Sequence, residues 1–320
     1  MFKPIAIFII ISSSLFSAKI GVVGWCKDAP YCVEELRKEF EPLGHSVSLA
    51  WKGDNLASFD LLISANVKYF LAPYKAKTII SCFEPPVIVS AHADLKEMSK
   101  YLCVFSWNHD IYNGKNFEKF YYPCGHVKHD IQPVLLPFHE RKLACIVSSF
   151  LSKPYPHELY SIRHNVVKFY KSYHPNDFSL YGQRGWKVGY APVFKGEAPD
   201  KGAVLRAHKF IYCFENWDNP YHYISEKIFD AFNDLCVPIY LGSSRITDYI
   251  PKETFIDARS FKTIKAVHQY IESMDETTYN KYIEAIISFS RSDLSDKFSH
   301  KFHVDQLIHK IHKHLSVCDK

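Results

Sequence analysis

A chain of 320 residues that is 47% hydrophobic and 23% charged can bury a substantial core and is too apolar to be disordered. Its formal net charge of +5 comes from scattered basic residues, with no Lys/Arg block, which argues against nucleic acid as a partner. Nine cysteines form no CxxC pair, so their spacing argues against a cysteine-held zinc site. The odd count leaves at least one thiol free under full oxidation, and a Cys26–Cys32 disulfide stays open.

At the amino terminus, Lys3 precedes the apolar run Ile5 to Ile11 and a small-residue end at Ala18. Residues 1–18 fit a signal peptide cleaved after Ala18 or a short signal anchor, because the run is shorter than the roughly 20 residues of a bilayer-spanning helix. This implies a secretory or membrane-associated protein, held at a membrane through its amino terminus. A cytoplasmic location is the alternative if the segment is not a working signal. No N-x-S/T sequon occurs.

From Lys19 onward the pattern alternates. Strands are expected at 19–25, 46–51, 59–65, 77–83 and 102–107, and helices at 31–43, 67–75 and 95–101. Such alternation predicts a parallel sheet covered by helices, and residues 19–137 read as a first domain. Its last part, 108–137, is rich in His, Pro and Tyr and reads as a linker. A second series begins with a strand at 141–149, a helix at 157–173, a strand at 178–182 and a helix at 201–208. It continues as a strand (FIYCF, 210–214), a long loop, a helix that Ser225 can cap, and a strand at 237–242. A last strand at 255–258 and helices at 263–274, 277–290 and 298–315 complete a second domain, 138–320. In the final helix Val304, Ile308, Ile311 and Leu315 share one face, and five histidines read as a solvated opposite face.

Local chemistry singles out the 210–242 unit. Glu215 and Asn216 sit at the carboxyl end of a strand, where ligands of open α/β sheets bind. Lys227 lies in the first turn of the next helix, against the dipole preference for acids there. That placement makes sense if a dianionic group sits between Lys227 and the helix end; a solvated Lys beside Glu226 is the plainer reading. The acids offer no DxD pair, since Asp218 stands alone and Asp230 and Asp234 are helical neighbours. This argues against a divalent metal bridging a diphosphate.

Ten residues of this unit resemble the signature F-E-N, Y-x-T-E-K, V/I-P-x-Y-x-G of the α1,3-fucosyltransferases, glycosyltransferase family 10. They are Phe214, Glu215, Asn216, Tyr223, Glu226, Lys227, Val237, Pro238, Tyr240 and Gly242. Ser225 replaces the usual Thr, and Trp217 stands where a small polar residue commonly follows. The resemblance implies a GT-B architecture, two doubly wound Rossmann-like domains facing across a cleft. It also implies an inverting enzyme that moves L-fucose from GDP-fucose to a hydroxyl of a glycan acceptor, O3 or O4 of a GlcNAc or Glc residue, with no metal.

A single displacement needs one base. Glu84, which ends an apolar strand ahead of two prolines and of Val104 to Trp107, resembles the family's acceptor-side Glu and is the candidate. Arg163 resembles the helical Arg that contacts the donor diphosphate, and Lys227 would be the second cation on it. Asn216 would donate a hydrogen bond to that group, Tyr223 would line the nucleotide pocket, and Glu226 would suit ribose hydroxyls. Lys201 resembles a family position of unassigned role. The alternatives are an enzyme of the same fold using another nucleotide sugar, and a catalytically silent nucleotide-sugar-binding protein.

Overall fold

The computed structural model describes residues 17–24, 32–124, 136–183, 185–186 and 188–318. Most of the expected leader and Cys26 lie outside them. The first half forms β1 (Lys19–Val23), α1 (Val33–Phe40), β2 (Ser46–Ala50), β3 (Leu61–Ala65), β4 (Thr78–Ser81), α2 (Leu95–Met98), β5 (Cys103–Ser106) and β6 (Phe117–Lys119). The second forms β7 (Lys142–Val147), α3 (Tyr160–Tyr173), β8 (Phe178–Tyr181), α4 (Lys201–Arg206), β9 (His208–Asn219), α5 (Glu226–Asn233), β10 (Val237–Ser243) and β11 (Ile256–Asp257). Helices α6 (Ile264–Glu272), α7 (Glu276–Ser290), α8 (Asp293–Asp296) and α9 (His300–Cys318) follow.

Two sheets result, in the orders β2-β1-β3-β4-β5-β6 and β11-β10-β9-β7-β8, and the strand pairs of both are parallel. Strands β4 (TIIS) and β5 (CVFS) are buried at every position, as expected of strands covered on both faces. In each sheet the chain starts on an inner strand, winds one way and then reverses. This leaves a topological switch point between β1 and β3 and another between β7 and β9.

Three local expectations change. Strand β9 runs to Asn219 instead of ending at Phe214, because β10 stays paired with it: Leu241 faces Phe214 and, past a register shift, Ser243 faces Asn219. Glu215 and Asn216 are therefore held on a strand. Phe117–Lys119, expected in a linker, form the edge strand β6. The segment expected as a helix at 67–75 is a 3-10 stretch, Tyr69–Lys77, with Pro73 inside it. Ala18, the expected cleavage position, is fully buried, and its carbonyl accepts the Ser46 N–H at 2.9 Å.

The largest correction concerns α9, which the sequence reading placed with the second domain. Its residues Val304, Leu307, Ile311 and Leu315 belong to the core that holds Ile20, Phe40 and Phe105, on the first sheet. His303, expected in solvent, is buried and meets Ser81 Oγ at 3.0 Å, while Lys310 pairs with Glu118 and His312 with Glu39. An amphipathic stripe says that a face is buried; it does not say against what. The chain thus returns to its first domain. A third cluster crosses the cleft floor, packing Trp107 and Val104 of the first half with Tyr160, Trp217 and Tyr223 of the second.

Candidate active site

The second switch point opens into a cavity of about 210 Å³, lined by Ser148 and Ser149 after β7, by Phe214 and Asn216 of β9, and by Arg163, Lys201 and Lys227. Sites that take a whole drug-sized ligand run to roughly 300–1,000 Å³, so this one suits a single charged portion of a larger molecule. A larger depression of about 1020 Å³, between the β11 region and α7, has none of the signature residues in its lining.

Glu215 is the pivot of the signature. Its carboxylate is fully buried and accepts the Ser225 N–H and the Ser225 hydroxyl, both at 2.7 Å. Ser225 therefore occupies the cap position of α5 without capping it, since its hydroxyl is turned to Glu215. Lys227 Nζ lies 3.3 Å from Glu215, 2.9 Å from Ser225 Oγ and 3.4 Å from Glu226. Burial disfavours its charge, but Glu226 and Glu215 outweigh that and hold Lys227 above its ordinary value. The solvated-lysine reading is thereby replaced by a part-buried, fixed cation. Gly242 has a steric reason: a Cβ there would meet Glu215 Cγ at 2.4 Å.

Arg163 is buried, and its Nη1 donates to Ser148 Oγ at 3.4 Å. Its Nε and Nη2 donate to the Phe214 carbonyl at 3.2 and 2.6 Å, and Nη2 also reaches Asn216 Oδ1 at 2.9 Å. Arg163 thus ties α3 to the end of β9 and commits the Asn216 oxygen, which leaves the Asn216 amide NH2 as its donor. Lys201 pairs with Asp230 at 2.6 Å on the same wall.

Glu226 and Tyr223 lie outside that cavity lining, toward the first domain. Burial pushes Glu226 up, but Lys227 and Lys201 outweigh it and hold its carboxyl down at about 2. Tyr122, from the first domain, lies near Glu226, and burial first, then that carboxylate, push its phenol up. Tyr223 is buried near Trp107, with ring centroids 6.5 Å apart, so it forms part of the floor between the domains. Trp217 meets Trp107 edge-on at 5.4 Å, which gives this bulky departure from the signature a packing role.

Glu84 stands beyond the end of β4, facing this wall. Burial raises its pKa; Lys227 across the cleft opposes the shift, and Glu226 and Glu215 add to it. Three side chains hold its backbone. Asn66 Oδ1 accepts the Glu84 N–H at 2.9 Å, while His92 Nδ1 and Trp107 Nε1 meet the Glu84 carbonyl at 2.7 and 3.3 Å. The Val67 N–H donates to His92 Nε2 at 3.2 Å, so Nδ1 carries the proton and donates. Burial lowers His92 to about 4, against the pull of that bond, and keeps the ring neutral at physiological pH. Sequence reading missed Asn66, His92 and Tyr122. Asn66 adopts a left-handed φ of 62°, and nothing in its neighbours announces that.

The arrangement juxtaposes a half-buried carboxylate on one domain with a cation-lined cavity on the other. A divalent ion is not required for charge stabilisation where guanidinium, ammonium and amide donors line the site.

Comparison with known proteins agrees. The profile of glycosyltransferase family 10 (fucosyltransferase), C-terminal part, matches residues 147–317. The α-(1,3)-fucosyltransferase FucT of Helicobacter pylori is 33% identical over 99 residues, 31% of this chain; the matched stretch spans only 20% of that relative. Among solved structures, an α1,3-fucosyltransferase with GDP superposes with a TM-score of 0.54 at 16% identity, over 89% of this chain and 95% of that one. Anabaena HepE in complex with UDP-glucose gives a TM-score of 0.57 at 11% identity, over 94% and 100%. Similarity at those identities speaks to the fold, which is of the GT-B type. The chain belongs to glycosyltransferase family 10, the fucosyltransferase family.

Proposed function

We propose that this protein is an inverting fucosyltransferase that moves L-fucose from GDP-fucose to a hydroxyl of a glycan acceptor, O3 or O4 of a GlcNAc or Glc residue. The observation that carries the reading is the pairing of Glu84 with the Arg163–Asn216–Lys227 wall across one cleft. Glu84 takes the proton of the incoming hydroxyl as its oxygen attacks the anomeric carbon. The bond to the GDP oxygen breaks on the opposite face. Lys227, Arg163 and the Asn216 amide meet the charge that develops on the departing diphosphate, and no metal takes part. Glu226 holds the ribose hydroxyls and Tyr223 walls the nucleotide side. Residues 19–137 form the acceptor side and 138–299 the donor side, with α9 clasping the first. The amino-terminal segment directs the protein to the secretory pathway or a membrane; among the described residues no helix is long and apolar enough to cross one.

The test is ligand linkage. GDP and GDP-fucose at 100 times Kd raise the unfolding free energy by about 2.7 kcal/mol, and UDP-sugars do not. A shift with UDP-sugars instead assigns another donor to the same fold. A shift with GDP-fucose but no transfer to any GlcNAc-containing acceptor supports the silent-binder alternative.

A further inference from the structure

On α3, His174 lies eleven residues past Arg163, about 16 Å along the helix axis at 1.5 Å per residue and well away from the cleft. There His174, Asp177, His268 and Glu272 converge, one ligating atom from each lying within 4.8 Å of the others. His174 ends α3 and Asp177 lies in the turn before β8, while His268 and Glu272 are one turn apart on α6 and share a face. We propose that these four residues bind one divalent transition-metal ion of the zinc type, stapling α3 to α6.

His268 points to a ligand most directly. It is 1% exposed, and among the described residues neither ring nitrogen has a hydrogen-bond partner, a costly state for a buried polar group. The spacing fits as well. His174 Nδ1 is 3.4 Å from Asp177 Oδ2, and His268 Nε2 is 3.6 Å from Glu272 Oε2. Both exceed a good direct hydrogen bond of about 2.7–3.2 Å. They approach the edge of a tetrahedron around zinc, about 3.3–3.4 Å for ligand distances of about 2.0–2.1 Å. Two neutral imidazoles and two carboxylates cancel the 2+ charge, which suits a half-buried site. Phe169 and Tyr170 pack around His268 at 5.9 and 5.4 Å, and Tyr170 is fixed by Tyr212 at 3.0 Å, giving an aromatic surround. With four protein ligands the site is of the closed, structural kind. Ligands some 90 residues apart in pairs have no sequence signature, so cysteine and histidine spacing misses them.

The experiment adds Zn²⁺ alone to the full, tag-free chain after chelator treatment, reading bound metal by elemental analysis and melting temperature by calorimetry. One equivalent is expected, with a rise of about 3–5 °C that chelator reverses. Co²⁺ in its place gives the visible bands of a four-coordinate ion. Asp177→Asn and Glu272→Gln, at partly exposed positions, retain the metal-free melting temperature but each bind Zn²⁺ at least tenfold more weakly, and His268→Gln abolishes the cobalt bands. Equal Zn²⁺ uptake by wild type and all three variants, or no Zn²⁺ uptake by wild type, overturns the site.

Discussion

The two walls of the cleft are built by opposite means. On the second domain the side chains are locked by charge: Lys227 between Glu215 and Glu226, Lys201 on Asp230, and Arg163 on the Phe214 carbonyl and Asn216. On the first domain Glu84 is held through its backbone, by Asn66, His92 and Trp107, while its carboxylate faces the cleft. The difference matches the proposed tasks. A site for an anion needs fixed cations, whereas a base must keep its carboxylate uncommitted and its pKa high enough to accept a proton. Neutralising groups on the two walls should therefore fail in different ways.

The largest expected effect separates the walls outright. Glu84→Gln keeps the fold and the GDP site and lowers turnover by about 10²–10⁴-fold, the range of a lost general base. In the wild type, burial raises the Glu84 pKa, so turnover at saturating substrates should rise with pH through a value above that of an ordinary carboxylate and then level off. A flat profile in which wild type and Glu84→Gln run parallel would remove Glu84 as the base. On the other wall, Lys227→Ala and Arg163→Ala should weaken GDP binding by about 10- to 100-fold, as expected for lost charge-assisted hydrogen bonds, measured by titration calorimetry. Arg163→Ala should also destabilise the fold, because the Phe214 carbonyl loses its two donors.

Gly242→Ala sharpens the comparison without touching a charge. Its new Cβ must displace Glu215, so GDP affinity and stability fall together, stability by about 1–3 kcal/mol by urea unfolding. His92→Ala is the counterpart on the first wall: kcat falls about tenfold, GDP affinity does not move, and the pH midpoint of kcat shifts as Glu84 loses its anchor. Unchanged kcat would assign His92 to packing alone.

The least site-specific effect concerns stability against acid. Burial lowers His92 and His208 to about 4 and His109 and His303 to about 3. These rings stay neutral in the folded chain while the unfolded chain protonates them near pH 6.5. The folded state therefore loses stability as pH falls from about 6.5 toward 4, by on the order of 1–3 kcal/mol per ring. The urea midpoint followed from pH 7 to pH 4 checks it.

Legibility in the sequence divides along the same line. Most of the donor wall was readable because Phe214 to Gly242 is one continuous strand, helix and strand, whose spacing carries the family signature; Arg163, outside it, was legible through family likeness. Doubly wound alternation was readable too, since parallel buried strands leave runs such as TIIS and CVFS. What escaped depends on distant contacts. The supports of Glu84 come from three separate loops, the return of α9 to the first sheet is a choice of partner for an apolar face, and β9 is prolonged by its pairing with β10. Glu84 was legible as the acid that ends an apolar strand, and family likeness made it the candidate base.

The most direct test of the central claim reads GDP affinity and single-turnover transfer from GDP-fucose on the same preparations of Glu84→Gln and Lys227→Ala. The two-wall account predicts wild-type GDP affinity with transfer abolished in the first, and weakened GDP affinity in the second. Transfer at the wild-type rate by Glu84→Gln, or the same loss of GDP affinity in both variants, would contradict it.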